Sequence, residues 1–215
     1  MTDTSEVERL LHTALRSIDA ATASMQQAMH WLTQSGNWPA PRHVLDFPWI
    51  GQNTPASTDD MSGNDCGPAC VTMWLNGLGQ ALTVDEVSRA TGLAAGYAST
   101  AYWHLTAAAR KWNLILSRKA GLTLEAIRAR IDGGTPLIVL VHYGSLPQRA
   151  TAFEGGHWAL VVGYDDEHVI YHDPLFVDSR GARVACPNAL FLMAMADCGL
   201  DGNTPNQGLV QLMAG

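Results

Sequence analysis

Basic residues are scarce in this chain. Its 215 residues include 13 Lys and Arg against 20 Asp and Glu, a net charge of −7, and the cations are nowhere gathered into a run. Phosphate backbones and anionic membrane surfaces are held by clustered Lys and Arg, so nucleic acid and membrane are not the expected partners. Long apolar runs are missing too, since no stretch approaches the roughly 20 residues that span a bilayer. The first residues, MTDTSEVERLLH, are acidic and lack the basic-then-apolar order of a secretory signal. Cysteine is sparse: Cys66, Cys70, Cys186 and Cys198 are too few and too scattered for a disulfide scaffold. No pair has Cys-x-x-Cys spacing and no His-Glu-x-x-His occurs, so no metal site and no cofactor are expected. Together these absences favour a reducing interior, with the cytoplasm as the expected location.

What is present suffices for a globular domain with an extension: 47% of residues are hydrophobic and only 15% charged. Residues 5–32 read as one long helix, opened by the capping-box pair Ser5 and Glu8. Val7, Leu11, Ala14, Ile18, Ala21, Met25, Ala28 and Leu32 recur at alternating spacings of four and three. That seam suits packing against the chain's own domain, or a coiled coil through which it self-associates or recruits a partner; the three alanines weaken a free-standing coil. TQSGNWPAPRHVLDFP then reads as a linker. The expected division is an N-terminal helical extension over 1–36 and a second domain over 37–215.

In that second domain, helix signals fall at 66–77, 84–91, about 100–112 and 123–132. From Thr135 the texture changes to TPLIVLVHYG, HWALVVGYD and HVIYHDPL, β-rich runs separated by turn residues, with a helix near 188–197 and a last strand near 208–213. Helices first and an antiparallel sheet afterwards is the α+β pattern.

Chemistry concentrates at NDCGPACVTMWLNGLG, where Cys66 stands at the start of a helix. The unpaired N–H groups and positive dipole end there favour thiolate over thiol. Gly67 keeps the backbone beside the sulfur open, and Pro68 suits a first turn. Cys70, one turn on within the apolar stripe, reads as a core residue. A base must come from elsewhere, and GGHWALVVGYDDEHVIYHDPL singles out His157, which opens a strand apolar on both faces. With a three-residue loop over 165–167, Tyr164 pairs with His168 and His157 lies opposite Leu175. Asp173 is then a diagonal neighbour on the same face, able to fix the imidazole tautomer; a two-residue loop would reverse the parity. His172 points to the other face, His142 ends another strand and His168 sits at the turn, so structural roles are expected for all three. Trp49, Trp103 and Trp158 are candidates to line a groove, but core packing is the expectation for each.

Gln52, Asp-Cys-Gly-Pro-Ala-Cys over 65–70, Gly-Gly-His-Trp over 155–158, Gly-Tyr-Asp over 163–165 and His-Asp-Pro over 172–174 together resemble the papain-like cysteine peptidases that process bacteriocin leaders, and their stand-alone relatives. The likeness covers roughly residues 46–213. It implies a papain-like α+β fold with Cys66 as nucleophile, His157 as general base, Asp173 as orienter and Gln52 in the oxyanion hole. Gln52 is farther from Cys66 than in transporter-linked members, separated by NTPASTDDMSGND, and Asn53 and Asn64 are alternatives for the donor. Membrane and ATPase domains of those members have no counterpart here, so processing coupled to export is not implied. The expected function is a peptidase acting on a peptide or protein. An acyltransferase, transamidase or deamidase would use the same residues, and a binding module would keep the fold without the chemistry.

Overall fold

The computed structural model describes residues 43–53, 64–94 and 99–212. The expected helix over 5–32 lies outside them, as does most of the insertion between Gln52 and Cys66. Among the described residues there are five helices: α1 (Cys66–Gly77), α2 (Val84–Ala90), α3 (Tyr102–Arg110), α4 (Leu124–Asp132) and α5 (Asn188–Asp197). Seven strands accompany them: β1 (His43–Val44), β2 (Leu116–Lys119), β3 (Leu137–His142), β4 (Gly156–Tyr164), β5 (His168–His172), β6 (Val184–Pro187) and β7 (Gly208–Gln211). All pairings are antiparallel, in the order β2-β7-β3-β4-β5-β6, and β1 pairs with the end of β4. The α+β arrangement expected from the sequence is the one found.

Local sequence sets the helix ends. Thr83 and Glu86 exchange hydrogen bonds in a complete capping box at α2, and the Thr123 hydroxyl accepts from the Ala126 N–H at the start of α4. Gly77 ends α1 where a Cβ would collide with the Phe47 ring.

The central strands are apolar on both faces because helices cover both. Trp74 and Leu75 of α1, Val87 of α2 and Leu105 of α3 pack with Leu140, Trp158 and Leu160 on one face. Ile127 and Ile131 of α4 and Phe191 and Met195 of α5 pack with Val139, Val161 and Tyr171 on the other. Each fully buried Leu, Ile or Phe contributes about 1.5–3 kcal/mol of transfer free energy, so this two-sided burial stabilises β3 and β4 most. His43–Val44 lies in the stretch read as a linker but forms β1, paired with β4, and strands β2 and β6 were not foreseen. They are the two edges of the sheet, four residues each, β2 ending in Arg118 and Lys119 and β6 in Pro187, features by which edge strands resist further pairing.

The β4–β5 hairpin departs from the expected register. Tyr164 pairs with Val169, not His168, because Asp165 builds the turn: its Oδ1 accepts from the N–H groups of Glu167 and His168, and its own N–H donates to the His168 carbonyl. The register then shifts by one residue between Val161 and Gly163, so that Leu160 pairs with His172. The two offsets have opposite sense and cancel.

Candidate active site

His157, near the start of β4, pairs with Val141 of β3. Asp173 is the first residue after β5; its N–H donates to the Gly181 carbonyl, and its own carbonyl accepts from Nε1 of Trp49 at 2.8 Å. Nε2 of His157 lies 2.9 Å from Oδ1 of Asp173, with both side chains buried. The same Oδ1 accepts from the Leu175 N–H at 2.9 Å, and Oδ2 accepts from the Tyr143 hydroxyl at 3.0 Å. The carboxylate is thus held by three donors from three segments.

Cys66 is the first residue of α1 and only partly buried; the N-cap residue Asp65 makes no side-chain cap, and the positive dipole end of the helix lies at the sulfur. Its sulfur is close enough to His157 to favour the charged imidazole. With Nε2 engaged by Asp173, Nδ1 is the ring nitrogen left for the thiol. Burial works against a charge on His157, but the Asp173 carboxylate, its hydrogen bond and the Cys66 sulfur outweigh it and push the imidazole up to about 10. The other three thiols are shut away. Burial first, then the neighbouring Cys66 and Asp173 charges, raises Cys70, and burial raises Cys186 and Cys198, the latter to about 12.

Gln52 is buried, and its backbone N–H donates to the carbonyl of Pro174 at 2.8 Å, which ties it to the residue after Asp173. Gln52, Asn64, Cys66 and His157 all open on one cleft of about 830 Å³. Of the two alternative donors, Asn64 lines that cleft and Asn53 is exposed outside its lining. Further walls come from Thr151 and Phe153 of the β3–β4 connection, from Trp103, and from Trp158, whose Nε1 donates to the Thr100 carbonyl. Trp158 is 4% exposed, as expected of a core residue, but Trp103 is 56% exposed and corrects the same expectation made for it. Trp49 is spent on Asp173. Gly67 is buried, and a Cβ there would stand 2.6 Å from the Thr100 hydroxyl and 2.7 Å from Leu105. Its glycine lets the cleft wall close against α1, a stronger demand than the open backbone expected beside the sulfur.

The remaining histidines on strands do structural work. His172 accepts from the Arg183 N–H at Nδ1 and donates from Nε2 to the Phe47 carbonyl; burial and Arg183 hold it below its ordinary value. His168 bonds Asp165 within the turn, and His142 bonds the Ser145 hydroxyl, which donates to Asp197. Tyr143 escaped the sequence reading. Its one signal is a position two residues past Val141, the partner of His157, which puts it on the same sheet face as that imidazole. Among the described residues no group of three or more His, Cys, Asp or Glu is placed to hold a metal ion, and no helix is long and apolar enough to cross a membrane.

The sequence pattern of the Peptidase_C39 like family matches residues 44–193. The chain belongs to this family. The fold of this C39-like peptidase is similar to the crystal structure of a C39-like peptidase from Bacillus anthracis, at a TM-score of 0.59 and 16% identity, over 80% of this chain and 98% of that one. It is also similar to the peptidase domain of Streptococcus ComA, a bifunctional ABC transporter of a quorum-sensing pathway, at 0.52 and 14%, over 77% and 97%. At these identities the likeness is one of fold. No curated protein matches the sequence. Family and fold make the chain a cysteine peptidase of the papain-like kind.

Proposed function

We propose that this C39-like peptidase hydrolyses peptide bonds through a Cys66–His157–Asp173 triad and a thioester intermediate. The observation that carries the reading is the buried pair of His157 and an Asp173 carboxylate that two further donors hold, with Cys66 beside it at the start of α1 on the same cleft. His157 takes the Cys66 proton, and the thiolate adds to the scissile carbonyl. The oxyanion so formed meets the Cys66 N–H, which has no intrahelical partner at the first position of α1, and the side chain of Gln52. Collapse breaks the C–N bond, the amine leaves with the proton from His157, and a thioester remains. Water, deprotonated by His157, then attacks the thioester and frees the acid and the thiol. Removing one oxyanion donor typically costs about 100- to 1000-fold in turnover, which is the expected effect of Gln52→Ala.

A peptide is the substrate class that fits an open cleft lined by both aromatic and polar side chains. The test is a library of peptides ending in a thiol-reactive electrophile, with mass spectrometry of the adduct. Labelling at Cys66 that depends on peptide sequence and is lost in His157→Ala supports the reading. Labelling that is indifferent to His157 would sink it.

A further inference from the structure

We propose that Tyr143 is a positioning residue of this site, joining the wall of the cleft to the carboxylate that orients His157. The proposal rests on the triad reading above and adds a residue to it. Tyr143 is fully buried where β3 passes into the β3–β4 connection. Its hydroxyl donates to Oδ2 of Asp173 at 3.0 Å and accepts from the N–H of Ala150 at 2.7 Å. Its one proton and one lone pair are thereby engaged, which fixes the orientation of the hydroxyl. Its ring meets the His157 ring edge-on, with centroids 4.7 Å apart, and lies 6.1 Å from that of Phe153. Its backbone N–H donates to the Gly155 carbonyl at 2.9 Å. The connection is therefore pinned to Tyr143 at two points, Ala150 and Gly155, and two of the four residues between them, Thr151 and Phe153, face the cleft.

The consequence is mechanical. A carboxylate with one oxygen on the imidazole and the Leu175 N–H, and the other free, can pivot about Cβ–Cγ. The Tyr143 hydroxyl removes that freedom, and the ring blocks tilting of the imidazole from the side. Burial and the Asp173 charge hold the phenol far above its ordinary range, against the opposing pull of Ala150 and Arg149, so it remains a proton donor wherever the enzyme works. The wall that receives substrate and the groups that carry the proton thus share one hydrogen-bonded node.

The test needs no known substrate. The second-order rate of Cys66 alkylation by iodoacetamide is measured by mass spectrometry at pH 6, where only a thiolate supported by imidazolium reacts, and above pH 10, where the thiolate no longer needs it. Tyr143→Phe keeps the ring and removes one charge-assisted hydrogen bond. The rate at pH 6 should fall about tenfold while the rate above pH 10 stays at the wild-type value, a split that general loosening of the fold would not produce. An unchanged or faster rate at pH 6 overturns the proposal. Should the Phe variant fail to fold, Tyr143→4-fluorophenylalanine, which fills the space of the hydroxyl but cannot donate to Asp173, decides by the same readout: a lower pH 6 rate with an unchanged rate above pH 10 supports the proposal, and an unchanged pH 6 rate overturns it. Asp173→Asn separates the two levels of inference. If wild type has no excess reactivity at pH 6 and Asp173→Asn changes nothing, the triad reading itself fails. If both behave as the triad requires and Tyr143→Phe matches wild type, only the role of Tyr143 falls.

Discussion

Nε2 of His157 stands 2.9 Å from Oδ1 of Asp173 across a hairpin whose register changes midway. Side chains on a strand alternate faces, so an offset of one residue would have turned Asp173 away from the imidazole. The turn at Asp165 introduces such an offset, and the irregularity at Val162 removes it before the strands reach His157. The bulge is therefore part of the site, although it lies several residues from the chemistry.

Asp173→Asn should fold and lose turnover by roughly 100- to 10,000-fold, because an amide holds the tautomer less well and does not stabilise imidazolium. His172→Ala should leave turnover near wild type and cost about 1–3 kcal/mol of stability, since it abandons the Arg183 N–H and the Phe47 carbonyl. Paired turnover and melting measurements separate the two; a His172 variant that is stable but inactive would reassign the base.

His157 is raised from 6.5 to about 10 in the folded chain, so the stability it contributes is full below pH 6.5 and is lost as pH rises towards 10. The gap in melting temperature between wild type and Asp173→Asn should be widest near pH 6 and narrow steadily to pH 10. The alkaline limb of the wild-type rate should lie near pH 10, and in Asp173→Asn at lower pH. A gap that widens with pH would contradict the assigned imidazolium.

Cys66 should take nearly all of a substoichiometric alkylating label near pH 6, since the other three thiols are buried and raised. Peptide mapping reads the result. Label found first on Cys186 or Cys198 would mean that the thiol at the helix start is not activated.

Gly181→Ala should lower both stability and turnover without touching the cleft. A Cβ there would collide with the Asp173 carbonyl oxygen and stand 2.6 Å from Nε1 of Trp49, the two groups that bond each other behind the triad. Overpacking of this kind costs about 1–3 kcal/mol. Unchanged turnover in a destabilised variant would show that Asp173 tolerates movement of its backbone.

Deleting residues 1–36 should leave a folded, probe-reactive domain, because the family pattern begins at residue 44 and the first described strand already pairs with β4. Circular dichroism and peptide-probe labelling check this, and light scattering of the two forms reads whether the heptad seam carries self-association. An insoluble truncation would assign the seam to the core.

Sequence alone determined what local chemistry controls. Thr83 and Glu86 announce α2 because a capping box is satisfied within four residues, and the apolar runs around Val139 and Val161 announce central strands because burial on both faces needs apolar residues at both parities. The Asp-Cys-Gly-Pro motif at a helix start and the His157 strand were legible for the same reason. Tertiary structure alone decided the rest. The edge strands β2 and β6 are only four residues each, too short to show a period, and β2 ends in the exposed Arg118 and Lys119. The turn offset and its cancelling bulge depend on where Asp165 finds donors and on how β4 is gripped from both sides, which no local pattern records. Tyr143 meets Asp173 from 30 residues away, and Trp49 reaches the same residue from 124 away; bonds at such separations exist only once the sheet has closed.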